Sequence, residues 1–168
     1  MVLTLRIYPD PVLRKKSEPV TKVSKRIKEY VDSMFSLLDQ SRGIGLAAQQ
    51  TGALKSIIVL NVPLENNKRF RTALINPSII KKSKEKQEFE EGCLSFPGVY
   101  VKIFRPDTII SEALDITGKK NRFKSSGLVA RAIQHEIDHL NGILLIDHIA
   151  NKEERERIEK IFVKDYKF

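Results

Sequence analysis

The chain has 168 residues, 41% of them hydrophobic and 30% charged, with a formal net charge of +9. That length supports one well-filled core rather than two, and the balance of apolar and charged residues excludes an intrinsically disordered chain. No apolar run reaches the roughly 20 residues that cross a bilayer, and the first residues lack the pattern of a signal peptide, so a cytoplasmic protein without a membrane partner is expected.

In chain order, Ser24 is placed to cap a helix whose apolar positions Ile27, Val31, Met34, Phe35 and Leu38 recur at three-to-four spacing, ending near Gln40. Gly43 to Gln50 then combines glycines, alanines and two amides without a charge. Such small residues suit either close backbone approach to a ligand or a packed turn, and the segment is not a dinucleotide loop, because it follows a helix and lacks the third glycine. The β-branched run Ser56 to Val62 predicts a strand, with further strands around 72–75, 99–104, 107–114 and 120–124 and a charged turn from Lys81 to Lys86. Helical period returns from Ser126-Gly127 through Leu128, Ala132, Ile133, Ile137 and Leu140, with Gly142 at the C-terminal cap. A charged helix with a thin apolar stripe closes the chain from Asn151 to about Val163. Helix, strands, helix in that order predicts an α+β fold in a single domain, 1–168, of which 151–168 is a charged helical extension.

The chemistry centres on His135-Glu136-Ile137-Asp138-His139. Two histidines four apart share one helical face and can hold a metal together, with Glu136 beside it. Apolar neighbours Ala132, Ile133 and Leu140 argue for a buried helix rather than a salt-bridged surface one. Two imidazoles leave a tetrahedral site incomplete. The position where a metzincin carries its third histidine is Leu145, which cannot coordinate. A thermolysin-like arrangement would draw on Glu159, which sits in a run typical of a solvated face. Cys93, the only cysteine, is the remaining donor: it cannot form an internal disulfide, and it stands in the polar stretch Glu91-Gly92-Cys93-Leu94-Ser95 rather than in an apolar run. The positive charge is interleaved with glutamates and accompanies no nucleic-acid-binding motif, so no specific nucleic acid is expected as a partner.

Taken together, Gly43 to Gln50, Glu91 to Ser95 and Gln134 to His139 resemble the three motifs of the peptide deformylases, in the family's order and approximate spacing. The resemblance covers all but about the last fifteen residues. It implies mostly antiparallel strands around the buried metal-binding helix, and one divalent ion held by Cys93, His135 and His139, typically iron(II), with zinc, nickel or cobalt as chemically suitable alternatives. It implies Glu136 as general base and acid, the Gln50 amide and the Leu94 backbone N–H as oxyanion donors, and formyl-methionyl nascent peptides as substrate. Ile44 and Ala132 would border the methionine pocket and Gly45 would offer its backbone to the peptide. Family members often carry an arginine seven residues past the cysteine, near the substrate; here Tyr100 replaces it. Ser126 stands where an acidic residue often precedes the metal-binding helix, and is expected to serve equally as a cap. His148 matches no ligand position and is expected at the surface or the core edge. A basic C-terminal face made of Lys152, Arg155, Arg157, Lys160, Lys164 and Lys167 suggests association with the ribosome near its exit site.

Overall fold

The structure is a computed structural model and describes residues 1–165. Ser24 accepts a hydrogen bond from the Ile27 backbone N–H at 3.3 Å and starts α1 (Lys25–Ser41) as expected. β1 (Gly45–Ala47), β2 (Ile57–Pro63), β3 (Arg69–Lys82), β6 (Thr108–Leu114) and β7 (Lys120–Ser126) form an antiparallel sheet in the order β1-β2-β3-β6-β7, and β4 (Lys86–Cys93) pairs with β5 (Phe96–Pro106) in a separate hairpin. α2 (Gly127–Leu140) and α3 (Lys152–Asp165) complete the described elements. The fold is the α+β arrangement the sequence predicts.

β2 reads as an unbroken apolar run because both of its faces are covered. Ile57 and Val59 pack with Tyr30, Val31, Met34 and Leu38 of α1, whereas Ile58, Leu60 and Val62 pack with Ala130, Ile133 and Leu140 of α2. The helix carrying the two histidines is thereby pressed against the sheet face opposite α1. At the other end, Ile158 and Phe162 of α3 join a third cluster, where Phe162 meets Phe96 edge-on at 5.4 Å and Tyr8 at 5.9 Å. The thin apolar stripe of α3 is thus a docking face.

Several boundaries differ from the sequence reading. β3 extends through the expected charged turn to Lys82, absorbing two register irregularities against β6, so the turn shrinks to the residues between Lys82 and Lys86. β4 was not expected at all: in Lys-Gln-Glu-Phe-Glu-Glu-Gly-Cys only Glu91 is buried, so no apolar alternation marks it. β1 was read only as small residues. Ser126 occupies the N-cap position of α2, but its side chain makes no capping hydrogen bond, so the replacement of an acidic residue there is not neutral in the way expected. Gly142 follows the cap residue Asn141 in a left-handed conformation, φ 71°.

The hairpin is fastened to α2 by buried charge rather than by oil. Glu91 accepts from Arg105 Nε at 2.6 Å and Nη2 at 2.9 Å, from Arg131 Nη1 at 2.6 Å and from His135 Nδ1 at 3.0 Å. Arg131 also donates to the carbonyls of Ile103 and Gln87, and Arg105 reaches Asp138, which His148 Nε2 contacts at 2.8 Å. Burial alone would push the Glu91 carboxyl up; hydrogen bonds from His135 and Arg105 and the Arg105 charge outweigh it and hold the group far below its ordinary value of 4.5. An unfolded chain therefore binds this proton at a higher pH than the folded one, so the stabilisation is complete above about pH 4.5 and is lost as pH falls below it. Glu91→Gln leaves buried Arg131 without an anion and buried Arg105 with Asp138 alone, and is expected to destabilise the protein by about 3–5 kcal/mol at neutral pH. Urea unfolding followed from pH 7 to pH 3 checks both points: the parent loses stability with acid, and the variant shows a flatter profile from a lower plateau.

Candidate metal centre

α2 presents His135 and His139 one turn apart, and the bulge where β4 turns into β5 delivers Cys93 against them. The three donor atoms lie within 4.8 Å of one another, with Cys93 Sγ 3.2 Å from His139 Nε2. Among the described residues this group contains no carboxylate. Glu159 instead pairs with Arg155 on α3 at 3.3 Å, and Leu145 lies buried in the cluster under that helix, so neither alternative arrangement of donors is formed. His148, partly exposed at the core edge, pairs with Asp138 at 2.8 Å and is not part of this group.

The donor set suits a divalent transition metal. Glu91 receives the Nδ1–H of His135, which fixes the tautomer that leaves Nε2 free to coordinate. Burial pushes the Cys93 thiol up, but the charges and hydrogen bonds of His139 and His135 prevail and bring it down to about 5, so a thiolate is stable there. The two preceding glutamates do not oppose it: Glu91 is neutralised by its arginines, and Glu90 is exposed. Two buried atoms beside the donors, Glu136 Oε2 and His139 Nδ1, have no hydrogen-bond partner among the described residues. Burial pushes the Glu136 carboxyl up against the opposing influence of the two histidines.

A cleft of about 480 Å³ opens above these groups. Nine of the ten residues picked out from the sequence line it: Ile44, Gly45, Gln50, Cys93, Leu94, Tyr100, Ala132, His135 and Glu136; His139 lies beneath, 1% exposed. Gln50 is held at both ends of its amide, Oε1 accepting from the Ala47 N–H at 2.9 Å and Nε2 donating to Ser95 Oγ at 3.1 Å, 3.7 Å from Cys93 Sγ. Gly45 has no room for a side chain, since a Cβ would meet Glu136 Oε1 at 2.5 Å. Tyr100, 66% exposed, lies across from Gly92 with its ring where a Cβ of that glycine would be, at 2.9 Å.

The sequence reading missed Arg105, Arg131 and Ser95, all buried and all bonded to residues of the centre. Arg131 carried a usable signal: it stands four before His135, hence on the same helical face. Arg105 carried none, because its role depends on the register of an unpredicted strand.

The sequence pattern of the family described as polypeptide deformylase matches residues 2–155. A peptide deformylase of Rhizobium meliloti is 42% identical over 160 residues, covering 95% of this chain and 91% of that protein. One from Finegoldia magna is 43% identical over 152 residues, covering 90% and 92% respectively. The crystal structure of peptide deformylase from Ehrlichia chaffeensis in complex with actinonin superposes with a TM-score of 0.92 at 38% identity, over 99% of both chains. Sequence and fold agree over the whole catalytic region, and the chain belongs to the polypeptide deformylase family, metal-dependent hydrolases that remove the formyl group from the N-terminus of nascent peptides.

Proposed function

We propose that residues 1–168 act as a single catalytic domain in the cytoplasm, that Cys93, His135 and His139 hold the metal, that the native ion is iron(II), and that Glu136 is the general base and acid. The observation that carries the assignment of Glu136 is its buried, unpartnered Oε2 beside the three donors. A bound divalent ion supplies Lewis acidity, bringing the ionisation of water near neutrality and polarising the formyl carbonyl.

The remaining steps belong to the chain. Glu136 takes the proton of the attacking water at Oε2 and returns it to the departing amine nitrogen; burial raises its pKa, which helps it hold the proton between the two transfers. Its position is set by Gly45, whose missing side chain leaves room for the carboxylate. Gln50 has its carbonyl oxygen engaged by Ala47 and one amide N–H by Ser95; the other N–H, beside Cys93 Sγ, joins the Leu94 backbone N–H in stabilising the oxyanion that forms on the formyl oxygen. Ala132, 4% exposed, and Ile44 border the space for the methionine side chain, and Gly45 offers its backbone to the peptide. Tyr100 forms the outer wall where many relatives place a charge.

Formyl-Met-Ala-Ser is expected to release formate with metal-loaded parent, whereas Glu136→Gln loses at least about a hundredfold in kcat while retaining the metal. Formate assay and metal analysis on the same samples decide this: a variant of parental activity removes Glu136 from the chemistry. Iron(II) beside a thiolate is open to oxidation. Iron-loaded protein is therefore expected to lose activity in air while nickel-loaded protein keeps it, and iron-loaded protein that survives prolonged aeration overturns the reading.

The basic face of α3 supports ribosome association near the exit site through Lys152, Arg157, Lys160 and Lys164; Lys167 lies outside the described residues. Arg155 is already paired with Asp147 and Glu159. Since Ile158 and Phe162 belong to the core, charge reversal rather than deletion is the clean test. Changing Lys160 and Lys164 to Glu is expected to reduce ribosome co-sedimentation at low salt without altering formate release, and unchanged co-sedimentation counts against the reading.

A further inference from the structure

We infer that Arg42 selects substrates by charge, favouring an acidic side chain at the third residue of the formylated peptide; this rests on the deformylase reading of the cleft. Three observations converge on Arg42. It lines the mouth of the cleft and is exposed. Among the described residues its guanidinium makes no ion pair or side-chain hydrogen bond, whereas its neighbours are engaged: Arg71 forks Asp39 at 2.8 and 2.9 Å, and Arg69 bonds Asn61 at 2.6 Å. It caps α1 in the left-handed conformation, φ 54°, a position where glycine is the unstrained choice and where Gly43 is one residue away. Holding a long cation in that strained conformation at the lip of a cleft points to use of its charge.

Placement along the substrate follows from chain geometry. Gly45 abuts Glu136 and marks the level of the formyl group. Arg42 lies three residues earlier, at most about 10 Å away at the ~3.3 Å rise of extended backbone. A peptide running out of the cleft alongside residues 43–45 covers that distance at about its third residue. The opposite lip carries Glu90, also exposed and without an ion pair among the described residues, and Tyr100, which is uncharged. Side chains of an extended peptide alternate between the two lips, so the residue facing Arg42 is not the one facing Glu90. An acidic third residue therefore meets the cation without meeting the anion.

The test compares C-terminally amidated formyl-Met-Ala-Xaa-Gly peptides with Xaa Asp, Ala or Lys, on metal-loaded parent and on Arg42→Asn and Arg42→Glu; asparagine tolerates the left-handed conformation. For the parent, kcat/KM for Asp over Lys is expected at about fivefold, the scale of an exposed charge pair. The difference should sit in KM rather than kcat, because the contact is equal in ground and transition states. Arg42→Asn should bring the ratio near one, Arg42→Glu should invert it, and 1 M salt should abolish it. A ratio of one in the parent, or an Asp preference that survives in Arg42→Asn, overturns the inference. Formate release from the Ala peptide reports on the underlying reading separately: release without discrimination leaves the family activity standing and removes only the role of Arg42.

Discussion

The Glu91 carboxylate is the point on which the rest of the molecule turns. It takes hydrogen bonds from one strand, through Arg105, and from one helix, through Arg131 and His135, and so closes the gap between the β4–β5 hairpin and α2. That gap is where the three residues able to hold a metal ion meet: Cys93 comes from the hairpin and both histidines from the helix. A hydrophobic contact would hold the two elements together but would tolerate sliding, whereas fork-shaped guanidinium pairs fix distance and orientation at once. The same carboxylate accepts from the imidazole of His135, so the frame and the candidate site share one anion.

Much of this was legible in sequence and part was not, for physical reasons. The helix from Lys25, the strand at Ile57 to Val62 and the histidine-bearing helix announce themselves because each buries an apolar face, and burial writes periodicity. β4 and β1 do not. One is almost wholly polar and gains its place through pairing with β5 and through Glu91; the other is three residues long and made of small side chains. The donors Cys93, His135 and His139 could be chosen from their chemistry, and the peptide deformylase motifs implied the residues lining the cleft. Arg105 was invisible, and Ser95 was visible only as the end of a motif and not as the partner of Gln50, since a polar residue bonded across two elements leaves no trace in the spacing of either.

The sandwiching of β2 between α1 and α2 explains why so small a protein holds its site firmly. One helix braces the sheet from behind while the other carries the two histidines in front. The C-terminal helix contributes at a distance: Phe162 stacks edge-on against Phe96, which begins the strand immediately after the Cys93 turn. The mostly charged tail is therefore part of the frame that steadies that turn.

Consider again the oxygen of Glu136 that has no partner. Leaving a buried carboxylate oxygen unpaired costs folding on the order of 1–3 kcal/mol. A search for heat-resistant variants is therefore expected to find stabilising substitutions at this position. The position is thus one where the fold carries a cost that a fully satisfied or apolar side chain would remove.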